Sequence, residues 1–149
     1  MRRRASYVAV VVMLGAVLGY AGGAEAQFNL ASLTGNYGVS GSGTLLDLPA
    51  AVVGLNSFDG TGGCTIQASL TTALLPGAVI PLTSTQCSYT VNANGTGAIS
   101  VVFAAPPGAA GPLSFTSSFV ITDSGNQLPF VLTDSFQGRT VASGISRKQ

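Results

Sequence analysis

The strongest constraint on this chain is a period of two. From about Thr34 onward apolar residues alternate with Ser, Thr, Gln, Gly and Ala, and there is almost no helical periodicity. Eight stretches follow the pattern: 34–46, 51–58, 63–73, 83–92, 96–105, 113–122, 127–133 and 139–147. One face of each is apolar, as in Tyr37, Val39 and Leu45, or Ile66, Ala68 and Leu70. Val141 and Ile145 are expected on that face in the last stretch. One buried and one wetted face is the mark of antiparallel sheet.

The connections order these strands. Asp59-Gly60-Thr61-Gly62, Asn92-Ala93-Asn94-Gly95 and Asp123-Ser124-Gly125-Asn126 are tight polar turns built from residues that tolerate positive φ. The segments "DLPAA" (47–51), "LLPGAVIPL" (74–82), "APPGAAGP" (105–112) and "DSFQG" (134–138) are read as looser loops. In an up-and-down meander the two groups fall at opposite ends, giving a pinned end and an open rim. Closing the sheet on itself removes its edges. The expected fold is an eight-stranded antiparallel up-and-down barrel, with a two-sheet sandwich as the alternative.

Residues 1–26 read as a secretory signal peptide: Arg2 to Arg4, an apolar Tyr7–Tyr20, and the small-x-small site Ala24-Glu25-Ala26. The apolar run is short of the roughly 20 residues of a spanning helix. Residues 27–149 are then a single domain, expected to be secreted or periplasmic. An outer-membrane barrel competes, but the remaining chain lacks the Trp and has too few Tyr for two aromatic girdles. Membrane contact after cleavage is therefore not expected.

Cys64 and Cys87 are the only cysteines, and in an exported chain a pair reads as a disulfide. A hairpin centred on Leu75 and Pro76 sets them opposite each other, within reach of a bond.

The ionisable inventory excludes much chemistry. Residues 27–149 hold four aspartates (Asp47, Asp59, Asp123, Asp134), three cations (Arg139, Arg147, Lys148) and no His or Glu, for a formal charge of −1. No base is present to activate a Ser or Cys nucleophile. No basic surface suits nucleic acid, and the donors for a metal are too few. No catalytic residue and no cofactor are assigned, and a non-enzymatic role is expected over catalysis. Asp47, Asp134 and Arg139 form the one acid–base group expected at the rim, with turn roles favoured for both acids. Asn94-Gly95-Thr96 matches a glycosylation acceptor, but a tight turn accounts for it. Gly41 and Gly43 are expected to bend the first strand at a barrel corner.

Two terminal segments carry a resemblance. "LTGNYGV" (33–39) resembles the Gly-x-Trp opening of the lipocalins and wider calycins, with Tyr in place of Trp, and "SGISRKQ" (143–149) resembles their closing strand. The resemblance implies that Tyr37 plugs the barrel floor and Arg147 packs across it. Together with "FDGTGG" and "YTVNANGTG", these segments also look like small secreted bacterial proteins of unassigned function. The barrel shape is similar to allene-oxide-cyclase-like and dirigent-like folds.

Three functions stay open. One is a barrel that takes a small apolar molecule, the candidate residues being Leu75, Val79 and Ile80 at the rim and Phe103, Phe115, Phe119 and Phe130 inside. The second is a structural or interaction module whose core those phenylalanines fill. The third is a cofactor-free isomerase or cyclase working by shape. The apolar 74–82 loop is expected either to fold inward as a lid, the favoured form, or to present a patch.

Overall fold

The computed structural model describes residues 27–106, 111–134 and 140–149, without the side chain of Asp134. The predicted signal peptide, Arg139 and Pro107 lie outside the described residues. A single sheet of eight antiparallel strands closes into a barrel in sequence order. The strands are β1 (Thr34–Leu45), β2 (Leu48–Asp59), β3 (Cys64–Thr72), β4 (Ile80–Val91), β5 (Thr96–Phe103), β6 (Leu113–Val120), β7 (Gln127–Asp134) and β8 (Thr140–Lys148). This is the up-and-down barrel expected from the alternation, and the sandwich alternative is discarded. Closure runs between β1 and β8, from Tyr37↔Lys148 to Leu45↔Thr140.

The period-two pattern places core and surface. Val39, Ile66, Leu82, Ile99, Val101 and Phe119 are among the buried inward positions, while Ser40, Thr65, Gln67, Ser88, Ser100 and Ser114 face outward. The described exterior is rich in hydroxyl side chains, with Val53, Leu55, Val120, Val131 and Val141 exposed among them. Among the described residues no helix is long and apolar enough to cross a membrane.

Strand eight departs from the expected phase. Val141 is 70% exposed and Ile145 is only half-buried, whereas Ala142, Gly144 and Ser146 face inward. The closing register sets Gly144 opposite Gly41 and Ala142 opposite Gly43. Strand-to-strand approach is close there. A Cβ on Gly43 would stand 2.6 Å from the Cα of Ala142, so small residues at this seam are required and the larger Val141 is turned outward. β1 runs through Gly41 and Gly43 without losing its pairing to β2 or β8. The glycines permit close approach and do not interrupt the strand.

The first rim connection is also tighter than expected. β1 and β2 are joined by two residues, Leu46 and Asp47, both at positive φ (51° and 65°), so "DLPAA" belongs to a hairpin turn and the strand after it. Positive φ at both central positions suits the right-handed twist of the flanking strands.

Cys64 and Cys87 are disulfide-bonded with Cα atoms 5.0 Å apart. The register that brings them together is not the simple hairpin expected. Gln67↔Thr83 to Leu70↔Ile80 would place Cys64 opposite Gln86. An extra residue in β4, between Ser84 and Gln86, shifts the phase by one, and Gly63↔Ser88 then aligns the cysteines. Ser84 Oγ accepts from the Ile66 amide at 2.8 Å and so satisfies a donor at the irregularity.

Candidate functional site: an apolar chamber over an aromatic floor

The pinned end is sealed. Tyr37, Phe58 and Tyr89 stack edge to face, with ring centroids 5.3 and 5.1 Å apart. Such geometry sets the positive ring edge against a negative face. Each buried phenol finds an acceptor: Tyr37 donates to the Gly125 carbonyl at 2.7 Å, and Tyr89 lies 3.0 and 3.1 Å from the carbonyls of Leu30 and Leu33. Burial pushes both tyrosine pKa values above the ordinary phenol value.

Those last two carbonyls belong to a segment the sequence pattern did not single out. Residues 28–33, including one 3-10 turn at Leu30–Ser32, lie across the floor. Leu33 is fully buried there, and the Phe28 amide donates to the Ala93 carbonyl at 3.2 Å. Phe28 also covers Gly95, whose φ of 83° requires glycine at the end of the Asn-rich turn. Too short for periodicity, this stretch carried one usable signal: apolar Phe28, Leu30 and Leu33 ahead of the first strand.

The cation over the Tyr37 ring is Lys148, with Nζ 5.9 Å from the centroid. Arg147 is exposed and pairs in the ladder with Gly38, so the resemblance-based placement of Arg147 across the floor is corrected. The reason is parity: inward positions of β8 are even-numbered, and Lys148 continues that series beyond buried Ser146.

Above the floor the barrel is hollow. A cavity of about 150 Å³ is lined by Val39, Ile66, Leu70, Leu82, Ile99 and Val101, by Phe103, Phe115 and Phe130, and on the β8–β1–β2–β3 side by Ala142, Gly41, Gly43, Ala50 and Ala68. One wall is bulky and the other is stripped of side chain, so the space is offset from the barrel axis. Phe130 lies over the stripped wall, where a Cβ on Gly41 would stand 3.3 Å from its ring.

Three of the four interior phenylalanines expected from sequence, Phe103, Phe115 and Phe130, therefore line one chamber, and Phe103 and Phe115 meet with centroids 6.0 Å apart. Phe119 belongs to the floor, buried against Gly97. Leu75 and Val79 do not reach the chamber. Leu75 is 50% and Val79 63% exposed, so the inward lid is corrected to an exposed connection, and only Ile80 and Leu82, which already belong to β4, pack inward. Its shape is set locally, by Leu75 N–H to Thr72 O and Ala78 N–H to Leu75 O.

Polar groups reach the chamber from Asn56, Ser117 and Thr140. Asn56 is the residue sequence reading missed; its one signal was an amide at an inward-phase position between Gly54 and Phe58. No ionisable side chain among the described residues lines the space. Among the described residues no three His, Cys, Asp or Glu come together as a metal site. Asp59 closes its own turn, accepting from the amides of Thr61 (2.7 Å) and Gly63 (3.0 Å). Asn94 does likewise, accepting from the amide and hydroxyl of Thr96. A turn role thus accounts for the glycosylation-like triplet.

Fold and site together define a small closed β-barrel with an interior chamber whose described lining is apolar and uncharged. Comparison with protein-family models, with curated proteins and with solved structures returned no match.

Proposed function

We propose that this chain is an exported barrel, secreted or periplasmic, that holds one small apolar molecule inside. The observation that carries the proposal is the chamber of about 150 Å³ with an almost wholly aliphatic and aromatic lining. A core of matched side chains is packed close to crystal density and leaves few voids. Space of this size, walled on one side by glycine and alanine, suits a guest the size of a benzene ring, since apolar cavities of about 150 Å³ stay dry and take such guests. It is well below the roughly 300–1,000 Å³ of pockets for larger ligands. The leader-like first 26 residues and the Cys64–Cys87 disulfide support export. The resemblance of "LTGNYGV" to the lipocalin opening supports a carrier of that general kind. A filled-core module is the rival, and the chamber counts against it.

Titration of residues 27–149 with benzene tests the proposal. Methyl resonances of Val39, Leu82 and Val101 should shift together and saturate. A tenfold excess over the dissociation constant should stabilise the fold by about 1.4 kcal/mol. Unmoved methyls and an unmoved melting temperature would overturn it.

A further inference from the structure

The chamber contains one polar feature that packing does not explain. Asn56 is 4% exposed and lines the space from β2. Its Nδ2 donates to Ser146 Oγ at 3.2 Å, reaching across β1 inside the barrel. Its Oδ1 accepts no hydrogen bond from any described residue. Buried carbonyl oxygens nearly always find a donor, because an unmet one forfeits its hydration. A leucine would fit the surrounding Val39 and Ile66 without that cost. The amide is held in place by Ser146, itself 2% exposed, so its oxygen is an oriented acceptor.

We infer that the chamber selects a neutral, compact, apolar molecule carrying one hydrogen-bond donor, which that molecule gives to Oδ1 of Asn56. The inference rests on the proposal that the chamber binds a ligand at all. Neutrality follows from the described lining: no ionisable side chain among the described residues stands there to pair with a carboxylate or an amine, and a bare charge would be desolvated without compensation. Compactness follows from the volume, which admits a guest on the order of six to eight non-hydrogen atoms. The donor follows from the unmet oxygen. Simple phenols and small cyclic alcohols meet all three conditions. Hydrocarbons and ethers meet only the first two, and fatty acids fail on charge and length.

Three probes of similar size separate the possibilities: benzene with no polar group, anisole with an acceptor alone, and phenol with a donor. Their dissociation constants would be measured by NMR titration of the disulfide-intact chain. Phenol is expected to bind roughly tenfold more tightly than benzene or anisole, equivalent to about 1.4 kcal/mol. It should also shift the Asn56 side-chain amide resonances. In Asn56→Leu that advantage should vanish while benzene still binds. Should Asn56→Leu fail to fold, Ser146→Ala frees the amide from its anchor, and the phenol advantage should narrow while benzene still binds; an undiminished advantage there overturns the inference. Equal affinity for benzene and phenol in the wild-type chain overturns the inference and leaves the ligand-binding proposal standing. So does a preference for anisole, or a phenol preference that survives in Asn56→Leu. Binding of none of the three overturns the underlying proposal and the inference with it.

Discussion

Tyr37 donates a hydrogen bond to the main-chain carbonyl of Gly125 at 2.7 Å, joining residues 88 positions apart at the barrel floor. The bond ties the start of β1 to the turn between β6 and β7, and it is made where water is excluded. Tyr37→Phe keeps the ring against Phe58 and loses only the bond, so stability should fall by about 1 kcal/mol. Tyr37→Ala also loses the edge-to-face stack and leaves a hole, for about 3–5 kcal/mol. Chemical denaturation of both variants checks the order.

The same burial makes a prediction about alkali. Tyr37 and Tyr89 hold their protons more tightly folded than unfolded, chiefly through desolvation. Folding therefore keeps their contribution below the ordinary phenol value of 10.0 and loses it as pH rises through the raised folded values. Phenolate absorbance should appear late and together with loss of the folded circular-dichroism signal. Independent early ionisation of both phenols would contradict their buried placement.

Lys148 and Arg147 exchange the roles that the closing segment implied. Lys148 stands over the Tyr37 ring at 5.9 Å and is exposed to solvent, which places its contribution at the low end, about 0.5 kcal/mol. Arg147→Ala should leave the melting temperature unchanged, and Lys148→Ala should lower it slightly. A larger effect from Arg147 would restore the original assignment.

Much of this fold could be read from residue order, for reasons that explain where the reading failed. The period of two is dictated by the pleat, so Val39, Ile99, Val101 and Leu128 declared their side of the sheet without reference to any partner. Val141 did not, because its phase is set by register with β1, and that register depends on how closely Gly43 lets β8 approach. The extra residue in β4 was hidden for the same reason, since it changes pairing and leaves the local alternation largely intact. Asn56 was illegible because an inward amide reads as an outward one until its neighbours' burial is known. The chamber itself is a sum over strands distant in sequence: Gly41, Ala68 and Ala142 are unremarkable singly and make a void only when set side by side.

The disulfide closes a loop whose cysteines are 23 positions apart and fixes the shifted register below the β4 irregularity. Constraining the unfolded chain at that separation contributes about 3 kcal/mol. Reduction, or the double Cys64→Ala/Cys87→Ala variant, should lower stability by that order. Thiol labelling of the denatured, unreduced chain should find no free thiol, and two labelled groups per chain would refute the bond.

Acid should loosen the floor turn between β2 and β3. Backbone hydrogen bonding, led by the Thr61 amide, holds the Asp59 carboxyl below its usual value of 3.8. A depressed folded value means that the contribution is present above that pH and lost as pH falls through the folded value. Asp59→Asn should therefore flatten the decline in denaturation midpoint on the acid side of pH 3.8, with its small loss of stability seen near neutrality and disappearing in acid. An unchanged acid slope would show that the carboxylate is not what the turn amides stabilise.

Filling the chamber should separate its cost to stability from its use. Ala68 lines the stripped wall, half-buried, paired with Gly54 of β2. Ala68→Leu adds three carbons where there is room. Each buried methylene contributes about 0.8 kcal/mol, against about 1–3 kcal/mol if the larger side chain is forced off its rotamer. The two effects nearly offset, so the melting temperature should hold or rise. Benzene and phenol should then cease to stabilise the variant, because the volume they occupy is gone. Loss of stability with binding intact would place the guest elsewhere. A gain in stability with binding lost would show that the glycine and alanine wall is retained for the guest, at the expense of a tighter core.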